Sequence, residues 1–137
     1  MANNKFHLDI YTPTGKYLSE EVEYLEVRNS DSVLGILPFH TPLITTIILC
    51  PLRIRFGGRT RVYATTGGIM NIKSGNTVSL MLSTIERSDE IDIERAKRSK
   101  DRAERYLNDD SYDQQRAKAS LDRANNRIAV AKEDDKK

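Results

Sequence analysis

Residues 88–107, SDEIDIERAKRSKDRAERYL, and residues 111–131, SYDQQRAKASLDRANNRIAVA, decide the architecture. Neither contains glycine or proline. All 7 glycines lie in the first 75 residues and all 4 prolines in the first 51. Gly and Pro punctuate turns, and a long stretch without them permits long helices. Charge changes at the same place: residues 87–137 carry 14 basic and 13 acidic side chains, residues 1–86 only 8 and 7. The chain therefore divides into residues 1–86 and 87–137.

The second part reads as two helices. The first runs from about Ser88 to Leu107, with Ser88 or Asp89 as N-cap. Asp89, Glu90, Asp92 and Glu94 crowd its opening turns, where the helix dipole favours acids. Asn108-Asp109-Asp110 breaks it. Ser111-Tyr112-Asp113-Gln114 has the form of a capping box for a second helix ending near Ala131, with Glu133 to Lys137 as a frayed polar tail. Ala117, Leu121, Ala124, Ile128 and Ala131 are spaced 4, 3, 4, 3 and form a heptad-like stripe. Ala96, Ser99, Ala103 and Tyr106/Leu107 form its counterpart. A short loop makes the pair an antiparallel hairpin. Its seam is mostly alanine. At about 25 cal/mol per Å² of apolar surface, such a seam gains far less than a leucine seam. Two readings fit: a hairpin that is marginal alone and opens, or a stable one docked on the first part.

The first part reads as short strands. Phe6, Leu8 and Ile10 alternate with polar neighbours, as do Leu52, Ile54 and Phe56, and Val78, Leu80 and Leu82. Period two buries one face and wets the other. Gly57-Gly58 suits a tight hairpin, and Gly67-Gly68 and Ser74-Gly75-Asn76 mark further turns. Strands at this spacing predict an N-terminal antiparallel β-sandwich, or flattened barrel, followed by the two-helix hairpin.

Composition excludes several classes. Net charge is only +2, too balanced for a nucleic-acid protein. With 2 His and 1 Cys, a zinc site is not expected, and the single Cys50 fits a reducing compartment. No apolar run is long enough to cross a bilayer, and Met1-Ala2-Asn3-Asn4-Lys5 does not open a secretory signal. No phosphate loop, dinucleotide fingerprint, metalloprotease helix or serine elbow is present. Thr65-Thr66-Gly67-Gly68 reads as a strand-turn device, Cys50 as a buried inert thiol, His7 as a solvent-facing strand residue and His40 as part of a rigid two-proline loop. No acid, base and nucleophile combine, so catalysis by this chain is not expected.

Arginines are more informative. Arg95 and Arg102 share a helix face, as do Arg123 and Arg127. Asp92 lies one turn before Arg95. On a closed hairpin the four guanidinium groups converge near one carboxylate, an arrangement suited to phosphates. The alternative is solvation or pairing with Glu94, Asp101 and Asp122, which is common and weak.

Three stretches resemble the epsilon subunit of bacterial F-type ATP synthase. They are Gly35-Ile36-Leu37-Pro38-Phe39-His40-Thr41-Pro42-Leu43, then Ala64-Thr65-Thr66-Gly67-Gly68, then Glu86 leading into Ile91-Asp92-Ile93-Glu94-Arg95-Ala96. The last matches that family's nucleotide-binding pattern of Ile or Leu, Asp, two free positions, Arg and Ala. Arg123-Ala124-Asn125-Asn126-Arg127 resembles the end of its second helix. The family's usual Ala-Glu before the linker stands here as Ile85-Glu86.

The resemblance implies a non-catalytic rotor-stalk subunit on the cytoplasmic face of a bacterial membrane, peripheral and not inserted. It implies a sandwich that binds the gamma subunit and the ring of c subunits through the loop of residues 32–43, with Asp31 and His40 as polar candidates. It implies a mobile hairpin that inhibits ATP hydrolysis when extended, its Arg98 and Arg105 among the basic residues meeting the beta and alpha subunits of the catalytic head. It further implies ATP as a regulatory ligand, with no metal required, held by Glu86, Ile91, Asp92, Arg95, Ala96, Arg102, Arg123 and Arg127.

Overall fold

The computed structural model describes residues 4–135, without the side chains of 134 and 135; Lys136 and Lys137, the end of the expected tail, lie outside the described residues. Ten strands come first: β1 Phe6–Thr12, β2 Gly15–Val22, β3 Tyr24–Arg28, β4 Val33–Ile36, β5 Leu43–Ile47, β6 Cys50–Phe56, β7 Arg59–Thr65, β8 Gly68–Lys73, β9 Thr77–Leu82 and β10 Ile85–Arg87. A single 3₁₀ turn, Ser88–Glu90, leads into α1 Ile93–Leu107 and α2 Gln114–Asp135. The strands form two five-stranded sheets, ordered β2-β1-β9-β8-β5 and β10-β7-β6-β3-β4. The sandwich expected from the alternation is present, as two open sheets rather than a closed barrel. One pairing departs from the antiparallel expectation: β1 and β9 run parallel, His7 beside Thr77 through Tyr11 beside Met81.

Alternation builds the core. Phe6, Leu8 and Ile10 of β1 are buried against Leu25, Leu52, Ile54, Met70 and Leu80. Gly57 and Gly58 both take positive φ, 62° and 74°, as the tight turn between β6 and β7 requires. Gly68 serves a different need. A Cβ there would lie 1.9 Å from the Met81 carbonyl oxygen, so only glycine lets β8 approach β9 so closely.

Residues Val62 to Thr65 of β7 are buried without alternation, because β7 is covered on both faces. Tyr63 points into the sandwich, while Val62 and Ala64 meet Ile91, Val130 and Ala131 in a second small core. This cluster seats α2 on the outer face of the second sheet. Ala96 and Ala103 of α1 and Ala117 and Ala124 of α2 are buried in the seam that the stripes predicted.

Helix boundaries differ from expectation. Burial of Ile91 holds the chain extended there (φ −77°, ψ 126°), which stops the 3₁₀ turn and delays α1. The N-cap is Asp92, whose carboxylate accepts the Arg95 backbone N–H at 3.0 Å, and not Ser88 or Asp89. At α2 the expected capping box is absent. Asp113 accepts from the Arg116 N–H at 3.2 Å. The Gln114 amide instead reaches back to the carbonyls of Tyr106, Asp109 and Tyr112 at 3.0–3.2 Å. It thereby adds a donor to the turn after α1, where the Tyr106 and Asp109 carbonyls also accept the backbone N–H groups of Asp109 and Tyr112. Tyr106 and Tyr112 stack across this turn, centroids 4.2 Å apart. The second helix continues past Ala131 to Asp135, and Glu133 is engaged rather than frayed.

Candidate functional site

A cleft of about 580 Å³ opens where α1, α2 and the edge of the second sheet meet. Its floor comes from Ala64 and Thr65 of β7 and from Ile85 and Glu86 of β10. Pairing of β10 with β7 sets Glu86 beside Ala64, so the carboxylate projects from a fixed strand. Ser99, Arg102, Ala103 and Tyr106 of α1 form one wall; Ser120, Arg123, Ala124, Asn126 and Arg127 of α2 form the other. The spacings 99, 102, 103, 106 and 120, 123, 124, 127 are those of a single helical face. The volume falls within the range of about 300–1,000 Å³ usual for small-molecule sites.

Of the eight residues expected to hold a nucleotide, Glu86, Arg102, Arg123 and Arg127 line this cleft. The carboxylate among the arginines is therefore Glu86, not Asp92. Arg127 Nε donates to Glu86 Oε1 at 2.8 Å and Nη2 to Oε2 at 2.9 Å, a bidentate fork. Arg123 Nη2 donates to the Ser120 hydroxyl at 3.1 Å and is otherwise exposed, as is Arg102. One carboxylate thus faces three guanidinium groups. That imbalance suits an anionic ligand with several oxygens.

The other four lie elsewhere. Ile91 belongs to the second core and Ala96 is fully buried in the helix seam, so neither lines the cleft. Asp92 is committed as N-cap. Arg95 is exposed and does not line the cleft, although it stands one turn before Ser99, which does. The acids offered as alternative partners are partly taken: Glu94 pairs with Lys97 at 3.7 Å and Asp122 with Lys118 at 2.8 Å.

Asn126 was not legible as a site residue. It is buried, and its amide donates to the carbonyls of Cys50 at 3.1 Å and Thr65 at 3.4 Å. Beside it, the Thr65 hydroxyl donates to the Thr84 carbonyl at 2.7 Å and accepts from the Gly67 N–H at 3.1 Å. Thr65 therefore acts as the strand-turn device expected of Thr65-Thr66-Gly67-Gly68. Cys50 is buried, and burial pushes its thiol above the ordinary range.

Asp31 is exposed beside an Asn29 turn, whose Oδ1 accepts from the N–H groups of Asp31 and Ser32. His40 is half-buried with Nδ1 2.8 Å from the Thr41 carbonyl. Near them in sequence Val33, Leu37, Phe39 and Ile44 are large apolar side chains left exposed. Arg98 and Arg105 are exposed on α1.

Comparison with known proteins agrees with this plan. Residues 5–88 match the family described as ATP synthase, Delta/Epsilon chain, beta-sandwich domain, and residues 89–132 match its long alpha-helix domain. The ATP synthase epsilon chain of Desulforamulus reducens is 44% identical over 101 residues, covering 74% of this chain and 76% of that one. That of Pelotomaculum thermopropionicum is 37% identical over 78% and 79%. Among solved structures, a chain in the Euglena gracilis mitochondrial ATP synthase OSCP/F1/c-ring assembly has a TM-score of 0.83 at 18% identity, covering 93% of this chain and 81% of that one. A chain of the Tetrahymena thermophila mitochondrial ATP synthase central stalk and c-ring has a TM-score of 0.57 at 15% identity, covering 93% and 94%. Two domain matches in tandem and these bacterial relatives establish that the chain belongs to the ATP synthase delta/epsilon chain family, with bacterial epsilon chains as its relatives.

Proposed function

We propose that the chain is a non-catalytic stalk subunit of a bacterial F-type ATP synthase whose helical hairpin senses ATP and regulates ATP hydrolysis. The observation that carries the sensor reading is the cleft: Arg102 and Arg123 face it from the two helices, while Glu86 faces it from the sandwich. A ligand that bridges these walls stabilises the closed hairpin in proportion to its affinity for that state alone. In this reading Arg102, Arg123 and Arg127 take the phosphates, and Arg95 swings in from the preceding turn of α1. Asp92 sets the start of α1, while Ile91 and Ala96 hold the helices against the sandwich. The alanine seam keeps the open and closed states within reach of such a ligand. The exposed apolar side chains Phe39 and Ile44, with Asp31 and His40, are offered to the gamma subunit and the c ring. Arg98 and Arg105 serve the beta and alpha subunits when the hairpin extends. The protein then sits peripherally at the cytoplasmic face of the membrane.

The test is calorimetric titration of ATP into the whole chain, with and without chelator. Saturable binding is expected in both, weakened about tenfold or more by Arg102→Ala or Arg123→Ala, and less by Arg95→Ala. Absence of binding by the unmodified chain overturns the sensor reading. Failure to form a stoichiometric complex with the gamma subunit overturns the stalk reading.

A further inference from the structure

We propose that the groove on the opposite flank of α2 is a second anion site, for an oxyanion of the phosphate class, with Arg28 as its principal cation. The groove has a volume of about 780 Å³ and runs between α2 and the strands β3 and β6. Three arginines from three elements line it: Arg28 at the end of β3, Arg53 on β6 and Arg123 on α2.

Their charges are not equally matched. Arg53 is held by two carboxylates, Glu26 and Glu133. Asp122, which also lines the groove, is taken by Lys118 through both carboxylate oxygens, at 2.8 and 3.0 Å. Among the described residues neither Arg28 nor Arg123 forms an ion pair. Arg28 is half-buried, and its Nε is sealed from solvent without a hydrogen-bond acceptor. A guanidinium placed this way carries a desolvation cost that its surroundings do not offset. The sealed Nε is out of reach of the groove, but a phosphate-class anion that meets the outer Nη groups offsets the unpaired charge by charge-assisted hydrogen bonds.

This groove is distinct from the cleft described above. Arg28 and Arg53 line the groove alone; Glu86, Arg102 and Arg127 line the cleft alone. Leu49, Thr66, Arg123 and Asn126 line both, so the two spaces adjoin and α2 presents one shared arginine between them. An anion on Arg28 leaves the Glu86–Arg127 fork intact, and binding of orthophosphate there does not depend on the nucleotide reading. Its occupant is free orthophosphate or the phosphate tail of a nucleotide reaching across Arg123.

Backbone amide NMR of the whole chain, titrated with orthophosphate at fixed ionic strength and separately with ATP, tests it. Expected are saturable shifts at Cys50, Ala119 and Asn125, which line the groove alone, weakened about tenfold by Arg28→Gln and less by Arg28→Lys; those produced by orthophosphate are kept in Arg102→Ala. Response to orthophosphate identifies the free anion; response to ATP alone, still lost in Arg28→Gln, identifies the nucleotide tail. The proposal is overturned by shifts confined to Ser99 and Tyr106 that vanish in Arg102→Ala. It is equally overturned by no saturable response to either probe, or by shifts that survive in a folded Arg28→Gln chain. Arg28→Lys carries the test where Arg28→Gln does not fold.

Discussion

The Arg53 guanidinium reaches Glu133 across 80 positions of sequence, Nε to Oε2 at 2.8 Å and Nη2 to Oε1 at 2.6 Å, and so ties the last turns of α2 to the middle of the sandwich. Its remaining Nη1 donates to Glu26 on the neighbouring strand β3. These carboxylates, Glu133 first, hold the guanidinium above the usual arginine range. All three side chains are only a quarter to a third exposed, at 24%, 34% and 23% for Arg53, Glu133 and Glu26. The tie therefore falls between an exposed pair worth at most about 1 kcal/mol and a buried one worth several when one partner is removed. Glu133→Gln is expected to cost about 1 kcal/mol, and Arg53→Ala about 2 kcal/mol, because it strands two carboxylates. Denaturant unfolding gives both values. Hydrogen exchange over residues 127–133 locates the effect at the end of α2; equal costs for the two variants would show that Glu26 does not share the arginine.

Asn126 predicts a sharper loss. Its amide is the partner of two carbonyls inside the contact between α2 and the sandwich. Removing it leaves the Cys50 and Thr65 carbonyls buried with one partner fewer, at about 1–3 kcal/mol. Asn126→Leu should lower the denaturation midpoint and free α2 while leaving the sandwich folded. Retained near-native exchange rates throughout α2 in that variant would contradict the anchoring role.

These two anchors show what the sequence displays and what it conceals. The sandwich and the hairpin are legible because each rests on local periodicity: Phe6, Leu8 and Ile10 alternate, and Ala117 and Ala124 recur on one helix face. Three arginines of the cleft, Arg102, Arg123 and Arg127, are legible for the same reason, since helical spacing aligns them, although the carboxylate that meets them comes from β10 and has no helical signature. Searching for an apolar stripe overlooks Asn126 and Glu133, which are polar and find their partners 76 and 80 positions away. The parallel pairing of β1 with β9 is equally silent, because either direction of pairing uses the same alternation. The start of α1 was misplaced because Ile91 is drawn into a core whose other members lie on β7 and α2.

A pH dependence follows from His7. Its Nδ1 lies 2.5 Å from Glu21 Oε2 on β2; Nε2 faces Asp9 Oδ1 at 3.2 Å and the Ser19 hydroxyl at 3.1 Å. The Glu21 contact raises the imidazole above 6.5; burial opposes it, and Asp9 reinforces the rise. A raised folded value means the charged ring stabilises the fold fully below pH 6.5, and that this contribution fades as pH rises through the folded value. Asp9 moves the other way, lowered first by its hydrogen bond with Ser19, so its share is lost only in acid. The side chain of His7 is 39% exposed, which keeps the effect small. The gap in melting temperature between the unmodified chain and His7→Gln should be wider at pH 6 than at pH 8.5. A gap that widens with rising pH would reverse the assigned sign.

Asp92 separates capping from ligand binding. Its carboxylate accepts the Arg95 N–H at the first turn of α1, and the side chain does not line the cleft. Loss of an N-cap costs about 1 kcal/mol, whereas asparagine caps nearly as well as aspartate. Asp92→Ala should therefore destabilise the closed hairpin and weaken ATP indirectly, because α1 carries Ser99, Arg102 and Tyr106 into the cleft from that starting point. Asp92→Asn should restore both stability and ATP affinity to within a few-fold, since it keeps the cap and removes only the charge. Asparagine that restores stability but not affinity would move Asp92 from the helix start into direct contact with the nucleotide, with α1 turning its first residues toward the ligand.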